Sequence, residues 1–526
     1  MALRKLPPGE LRLSYSENDV EDVRNEVLSL SKLSIVADLP RRATTTVHDL
    51  PVELLEIIFK IAHNDWLMFT LHPEAYSAQP TSLRARSWKG LMRIFCQFPY
   101  TPSAVCRHWR GIILDSPAFW TRPAVFVDGK DPLASLSNLR AYIQRSRDLP
   151  LILAVVRKTY NVPYDTQEAL NVSLFMDVIE CHLKRFHDIY FHLSQSSSLP
   201  LISRFRYQPR TQANLQRLAL HCDADDGPNN DTAIPRFLPS THWPPSLTAM
   251  KIDGRNFMTM CQDQYSWAIV LSRLKSLSIE RLQHTDDTQG QLSLVETLEF
   301  LGKLPELEVL TIRDVEFCTT LRLPPGTPPV TIDVADLILE DLNHASTKAL
   351  FDLANLNPTY VMLRNIPIDA LPYVPQPMFL ELADIAIDQD IEDLLCFWDG
   401  EVLAIRNCDG FNDGVLSLFA DDEPLLPRFS CPSLRELHLQ DCENFTGVGL
   451  RRMAETRMDL ATRRVDEGFS VTDVADIFVS GGGPVLVPED ASWLRTNMKS
   501  FVWSTGQPSG GSCHLDPDSV VPFTVP

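Results

Sequence analysis

Residues 48–59 read HDLPVELLEIIF, a proline followed by apolar residues at helical spacing. Pro51 stands where a first helical turn begins, a position at which its missing N–H costs nothing. Apolar residues at intervals of three and four predict one helical face, which consists of Leu54, Ile57, Ile58 and Ile61. Leu55 and Phe59 lie off this face. The predicted helix therefore has more apolar surface than the single stripe that packing on a core requires.

Two shorter apolar motifs follow after an intervening segment. Residues 103–110 read SAVCRHWR, and residues 116–120 read SPAFW. One predicted helical stripe here consists of Val105, Trp109 and Ile112. A second stripe consists of Cys106 and Ile113. Because the module is small, we expect one apolar face to form its own core and the other to be covered by another part of the chain or by another protein.

The motifs stand in the order that is typical of one family. The sequence has Leu-Pro-x-Glu at 50–53, an apolar helix ending in Ile-Phe, Val-Cys-x-x-Trp at 105–109 and a final tryptophan at 120. This arrangement resembles the F-box. The resemblance implies that the module docks on the Skp adaptor of a cullin–RING ubiquitin ligase. The adaptor-binding residues that it implies are Leu50, Pro51, Leu54, Ile57, Ile58, Val105, Cys106 and Trp109.

The segment between the two parts of the motif is longer than the short link that the family usually has. It contains an insertion at about residues 66–100, with the basic residues Arg84, Arg86 and Lys89 in its middle. A long loop is uncommon in a compact domain, so the sequence does not place helices inside this insertion. The alternative to an F-box is an ordinary helical hairpin that is buried against the rest of the chain.

The bulk composition excludes several classes of protein. Hydrophobic residues make up 44% of the 526 residues and charged residues 22%, which is typical of a globular protein. The net charge of −20 argues against a nucleic-acid binder, which should be basic. The 11 cysteines form no Cys-x-x-Cys pair, as expected in a reducing compartment. The longest apolar run, residues 149–156, is too short to cross a membrane, so we expect a cytoplasmic or nuclear protein.

A Leu-x-x-Leu-x-Leu pattern recurs between residues 215 and 439. The second leucine of each copy falls at Leu218, Met250, Leu277, Leu310, Leu337, Val361, Leu380, Leu403 and Leu437. Successive copies are separated by about 27 residues on average, within the range of leucine-rich repeats. The spacing varies along the chain, so the predicted repeats are irregular.

Each predicted unit has one short strand and one helix or loop, and it cannot bury its apolar face alone. Stacked units share a continuous core behind a wall of parallel strands. Residues between the leucines are expected to face outward along the concave side: Arg217, Ala219, Lys251, Ser276, Ser278, Val309, Thr311, Glu436 and His438. Their varied types suit a protein-binding wall better than a catalytic site. The alternative is an unrelated α/β domain with buried strands.

The whole order of motifs resembles fungal F-box proteins with irregular leucine-rich repeats. A short N-terminal helix, the F-box, a Leu-Pro-Leu strand at 149–151 and the late segments 479–484 and 492–494 support this resemblance. The predicted fold class is α/β, with a small helical F-box module followed by an irregular leucine-rich-repeat-like solenoid that has a parallel strand wall.

The predicted domain boundaries follow from these patterns. Residues 1–46 are expected to form an N-terminal helix, at 17–33, and a linker. Residues 47–127 form the F-box-like module with its insertion. Residues 128–503 form the repeat array with a C-terminal cap, and residues 504–526 form a flexible tail rich in glycine, proline and serine.

The sequence contains no recognisable catalytic, cofactor or metal motif, so we expect a non-enzymatic protein with no cofactor and no metal. Residues 481–483 lack the lysine of a phosphate loop and predict a turn after a strand. Cys181, His182 and His187 cannot place three ligands on one helical face. The acidic clusters at 388–393 and 421–423 are interpreted as solvated loops, with contact to a basic target as the alternative.

Two functions are compatible with these patterns. In the first, the chain is the substrate receptor of a Skp–cullin–F-box ubiquitin ligase, and its repeats bind an unidentified target protein. Such a receptor needs no catalytic residue, because it raises the concentration of the target near a charged enzyme. In the second, the chain is a leucine-rich-repeat interaction scaffold without a ubiquitin-ligase role, and the F-box-like helices cap the array. Neither function requires nucleic acid or a membrane.

Overall fold

The structure is a computed structural model of the chain. It describes residues 50–71, 98–128, 131–157, 167–205, 214–226, 246–261, 264–283, 292–319, 328–367, 376–420, 430–463 and 471–505. The predicted helix at 17–33, the acidic cluster at 421–423, most of the insertion and nearly all of the predicted tail lie outside these residues. The chain forms two compact units, residues 1–68 and residues 69–526.

The helices and strands are numbered here in chain order. The helices are α1 (Val52–Leu71), α2 (Tyr100–Val105), α3 (Arg107–Asp115), α4 (Pro132–Arg145), α5 (Gln167–Glu180), α6 (Gly254–Cys261), α7 (Gln264–Val270), α8 (Leu294–Leu301), α9 (His344–Leu353), α10 (Asp388–Leu395), α11 (Asp413–Leu418), α12 (Gly447–Arg463) and α13 (Pro488–Asn497). The strands are β1 (Ala124–Phe126), β2 (Leu151–Val156), β3 (Phe186–Gln195), β4 (Arg217–Ala224), β5 (Ala249–Asp253), β6 (Ser276–Leu282), β7 (Leu292–Ser293), β8 (Val309–Val315), β9 (Phe317–Cys318), β10 (Val330–Ile332), β11 (Asp336–Glu340), β12 (Ala354–Leu356), β13 (Tyr360–Arg364), β14 (Phe379–Ala383), β15 (Val402–Arg406), β16 (Glu436–Gln440), β17 (Asp476–Gly481) and β18 (Ser500–Thr505).

Helix α1 contains most of the described residues of the first unit, and it confirms the helix predicted from residue 51. The carbonyl oxygen of Pro51 accepts hydrogen bonds from the backbone N–H groups of Leu54, at 3.1 Å, and Leu55, at 3.2 Å. The helix therefore begins directly after the proline, which needs no N–H of its own at this position. Glu53 lies in the first turn, where its negative charge favours the helix N-terminus.

The second unit is built on one sheet of 14 strands, all of them parallel. The order in the sheet follows the chain: β1-β2-β3-β4-β5-β6-β8-β11-β13-β14-β15-β16-β17-β18. Strand β7 pairs with β9, and β10 pairs with β12, in two small parallel sheets. Helices alternate with strands along most of the chain. This α/β architecture is that of a leucine-rich-repeat-like solenoid, and it confirms the predicted fold class.

The repeated leucines form a row through the core of the second unit. Leu277 pairs in register with Leu310, and Leu310 with Leu337. The same row continues through Val361, Leu380, Leu403 and Leu437. All seven side chains have an exposed fraction of 0%. Full burial of such a side chain stabilises a fold by about 1.5–3 kcal/mol. This row therefore supplies much of the driving force for stacking the repeats of the second unit.

Helices α2 and α3 are fixed to the array through Trp120, the last tryptophan of the F-box-like motif. Its indole N–H donates to the carbonyl oxygen of Ile113 at 2.9 Å. Its ring packs edge-on against Tyr142 of α4, with centroids 5.2 Å apart. The guanidinium of Arg145 lies 4.3 Å from the centroid of the same ring. The second half of the motif thus packs on the first helix of the array.

A repeated turn follows five neighbouring strands, β11 and β13 to β16. Its residues have φ between 48° and 58°, in the left-handed region: Asp341, Asn365, Asp384, Asn407 and Asp441. Aspartate and asparagine tolerate this region better than other residues with a side chain. Each of the five N–H groups donates to a carbonyl of the next strand, at 2.8–3.0 Å. We call these residues the Asx row. The apolar repeat pattern did not predict this row.

Three predicted elements differ from the structure. A helix was predicted at 174–186, but α5 ends at Glu180 and Phe186 already begins β3. The helix begins earlier because Glu168 and Asn171, which look like loop residues, are buried with partners of their own. The acidic cluster at 388–393 lies in helix α10, whose buried residues are Ile391, Leu394 and Leu395. Strand β18 extends to Thr505, past the predicted start of the tail.

Candidate protein-binding surfaces

Helix α1 has an apolar face that is open to solvent. Its side chains have exposed fractions between 36% and 47%: Leu54, Ile57, Ile58 and Ile61. Of the other predicted docking residues of this unit, Pro51 is exposed and Leu50 is partly buried. Large aliphatic side chains are rarely grouped in this way on the surface of a soluble protein unless that surface binds another molecule.

The opposite edge of α1 is buried. Leu55 has an exposed fraction of 0% and Phe59 of 3%. These two residues follow each other at a spacing of four, so they lie on one edge of the helix. The apolar residues of α1 are therefore divided into a buried set and an exposed set.

Cys106 ends α2 and begins α3, although the sequence predicted one continuous helix here. Its backbone is extended, with φ −156° and ψ 171°. Its thiol sulfur accepts a hydrogen bond from the backbone N–H of Trp109 at 3.4 Å. Cys106 thus occupies the N-cap position, which serine or aspartate usually fills. The pattern of apolar residues cannot reveal this break, because both short helices continue the same spacing.

The break changes how the predicted docking residues of the second unit are presented. Val105, at the end of α2, has an exposed fraction of 57%. Cys106 and Trp109 are partly buried. Ile112 and Ile113 of α3, which were predicted to lie on different stripes, are both buried. Val105 and Trp109 therefore lie near the junction of two helices rather than on one helical stripe.

The second candidate surface is the face of the large sheet whose side chains alternate with the buried leucines. We call it the open face. As predicted, Arg217, Lys251, Ser278 and Thr311 are only partly buried there. At the carboxyl ends of the strands this face carries rows of charged residues. In register, Glu280 lies beside Arg313, and Arg313 lies beside Glu340.

Acidic and basic side chains alternate across these rows and form ion pairs. Arg313 Nε lies 3.2 Å from Glu340 Oε2, and Arg364 Nη1 lies 3.5 Å from Glu340 Oε1. Arg406 Nε lies 3.1 Å from Glu381 Oε1. Because each glutamate faces an arginine from a neighbouring strand, positive and negative charges are interspersed on the open face. Such a surface selects a partner by matching positions of charge rather than by overall attraction.

Glu280 is a buried carboxylate of the open face, and its neighbours shift its pKa. It is almost completely buried, and Lys251 Nζ lies 2.7 Å from its Oε1. Burial by itself would raise the pKa of Glu280, but Lys251 and His221 hold that pKa well below its usual range. Burial, together with Lys251, lowers the pKa of His221 to about 3. Glu280 is thus ionised and His221 neutral at physiological pH.

One cluster on the open face was not predicted at all. His192, His221 and Asp223 bring three potential metal-ligand atoms within 4.8 Å of one another. The sequence showed no histidines at metal-binding spacing because these residues come from two neighbouring strands. Aligning the strand residues around Ile189 with those around Leu218 would have placed His192 beside His221, as the register does.

Neither a protein-family model nor a curated protein matches the sequence. Among the helices that the structure describes, none has the length and apolar character needed to cross a lipid bilayer.

Proposed function

We propose that this chain is the substrate receptor of a Skp–cullin–F-box ubiquitin ligase in the cytoplasm or nucleus. The F-box-like helices dock on the Skp adaptor, and through it on a cullin. The repeat array holds a target protein. The chain itself supplies position rather than chemistry, because ubiquitin transfer takes place on partner subunits.

The exposed apolar face of α1 is the observation that carries this proposal. Leu54, Ile57 and Ile58 keep between 43% and 47% of their surface open to solvent, while Leu55 and Phe59 are buried. A helix that only capped the array would have been expected to bury both sets. Val105, which the F-box resemblance also assigns to docking, is more than half exposed. Five of the eight docking residues that the resemblance implies are thus exposed: Pro51, Leu54, Ile57, Ile58 and Val105.

The open face of the sheet supports the second half of the proposal. Its partly buried side chains differ from strand to strand, and its ion pairs fix the charged groups in place. A surface with charges of both signs held in defined positions can distinguish one protein partner from another. Its side chains lose little conformational entropy on binding, because they are already fixed.

Co-purification of the full chain with a Skp adaptor tests the proposal. Ile57→Asp puts a charge on the proposed docking face, and Ile269→Asp makes the same change on helix α7, where Ile269 is 78% exposed. We expect wild type and Ile269→Asp to retain the adaptor. Ile57→Asp should weaken binding by roughly 100-fold, since burying an unpaired carboxylate in an interface is costly.

The same experiment distinguishes the scaffold interpretation. If the wild-type chain is folded and does not retain the adaptor, the ubiquitin-ligase role is wrong and a scaffold remains. If Ile57→Asp binds as well as Ile269→Asp does, the adaptor uses another surface and the docking residues are wrong.

A further inference from the structure

His192 and His221 lie side by side on the open face of the sheet. His192 of β3 pairs in register with His221 of β4, and the centroids of their rings are 4.5 Å apart. Asp223 follows His221 by two residues on the same strand, so its side chain points to the same face. Three side chains that commonly bind metals are thus placed together by strand register.

The distances between these groups are close to those in a metal site. One ligand atom from each of the three residues lies within 4.8 Å of the others. His192 Nε2 lies 2.9 Å from Asp223 Oδ1. In a tetrahedral zinc site with bonds of about 2.0–2.2 Å, neighbouring ligand atoms are roughly 3.3–3.6 Å apart. Small side-chain rotations, without a change in the backbone, would bring the three groups to this spacing.

A buried carboxylate lies against one of the histidines. Glu280 Oε2 lies 2.8 Å from His221 Nδ1, and the other oxygen of Glu280 contacts Lys251 Nζ and the hydroxyl of Ser278. A carboxylate on one ring nitrogen holds the proton there and leaves the lone pair on the other nitrogen. Metal-binding histidines usually have such a partner. Glu280 is only 4% exposed, so it keeps this orientation.

We propose that His192, His221 and Asp223 bind one divalent transition metal ion of the zinc class on the open face. Two imidazoles and one carboxylate are a ligand set that suits zinc. Glu280 positions His221. Three protein ligands leave a fourth position for water or for a donor side chain of a bound protein. This site is independent of docking on the Skp adaptor, and the sequence alone predicted no metal.

Zinc binding to the full chain tests the proposal. Calorimetric titration with Zn²⁺ should give one saturable site per chain. His192→Ala and His221→Ala should each weaken binding by roughly 100-fold or more, and Glu280→Gln by about 10–100-fold. His344→Ala, which removes an exposed histidine at the start of α9, should leave the affinity unchanged.

Asp223 keeps the test decisive even if a histidine variant fails to fold. Its side chain is 45% exposed, so Asp223→Asn should fold normally. With Co²⁺ as a spectroscopic substitute, the wild-type chain should show the visible absorption of a tetrahedral site, and Asp223→Asn should lose much of it. The proposal is overturned if the wild type has no saturable zinc site, or if Asp223→Asn and His192→Ala both bind zinc as tightly as His344→Ala does.

Discussion

Arg157 and Glu168 form an ion pair that is almost completely shielded from solvent. Arg157 Nε lies 3.2 Å from Glu168 Oε2, and the side chains are 2% and 1% exposed. Glu168 also accepts hydrogen bonds from the backbone N–H of Ser194, at 3.0 Å, and from its hydroxyl, at 2.7 Å. The pair links the end of β2, helix α5 and strand β3 at the start of the array.

Breaking this pair from one side should destabilise the array strongly. Arg157→Met leaves the Glu168 carboxylate buried without its counter-charge, so we expect a loss of about 3–5 kcal/mol in the free energy of unfolding. Urea unfolding followed by circular dichroism measures it. The double variant Arg157→Met with Glu168→Met should lose less than the sum of the two single changes.

The exposed pair of Lys275 and Glu308 is the matched control. Its two groups lie 2.6 Å apart, but both side chains are more than half exposed. Glu308→Gln should therefore leave the unfolding curve unchanged. Equal small effects from Arg157→Met and Glu308→Gln would contradict the assignment of a buried pair.

Two glycine-to-alanine changes should have opposite effects on stability. Gly481 has φ 73°, and a Cβ atom there would collide with Asp441 of the Asx row. Gly481→Ala should cost about 1–3 kcal/mol, since both the backbone and the contact become strained. Gly111 lies in α3 with no atom within 4 Å of an added Cβ, so Gly111→Ala should stabilise by up to about 1 kcal/mol. Thermal unfolding of both variants measures whether each change raises or lowers stability. If Gly111→Ala also lowers the unfolding temperature, Gly111 does not lie in an open helical environment.

Asp253 should make stability depend on pH in a defined direction. Burial raises its pKa to about 6, although Asn256 donates two hydrogen bonds to it. In the unfolded chain this carboxyl ionises near pH 4, so between about pH 4 and pH 6 the folded state holds a proton that the unfolded state has released. Its contribution to stability is therefore complete below pH 4 and is lost as the pH rises through about 6.

Asp253→Asn removes this titration while imitating the protonated carboxyl. The free energy of unfolding of the variant minus that of the wild type should increase by up to about 3 kcal/mol between pH 4 and pH 7. Other carboxylates cancel in this difference. Denaturant unfolding at several pH values measures it, and a difference that does not change with pH would show that Asp253 is ionised throughout.

The sequence predicted what depends on periodic burial. The leucines of the repeat are in register and buried, and the split between Ile57 and Leu55 on α1 follows from helical spacing alone. The sequence did not predict features that depend on contacts between residues far apart in the chain or on the backbone angles of a single residue. Cys106 interrupts a helix whose apolar pattern continues, and His192 meets His221 only because β3 and β4 are neighbours.

The Asx row is a case in which the sequence held a signal that was not used. Asp341, Asn365 and Asp384 each stand two residues after the last leucine of their strand. The Leu-x-x-Leu-x-Leu pattern contains apolar positions only and does not include the polar residue that follows each strand. Extending the pattern by this position would have predicted the left-handed turns.

Calorimetric titration of the full chain with the purified adaptor directly tests the proposed docking on the Skp adaptor. The wild-type chain should bind one adaptor per chain with a dissociation constant of about 1 μM or below. Val105→Asp, which places a charge on a residue of the second unit that is 57% exposed, should weaken binding by at least roughly 10-fold without changing thermal unfolding. Folded wild-type chain that gives no binding heat at adaptor concentrations of about 100 μM would contradict the account.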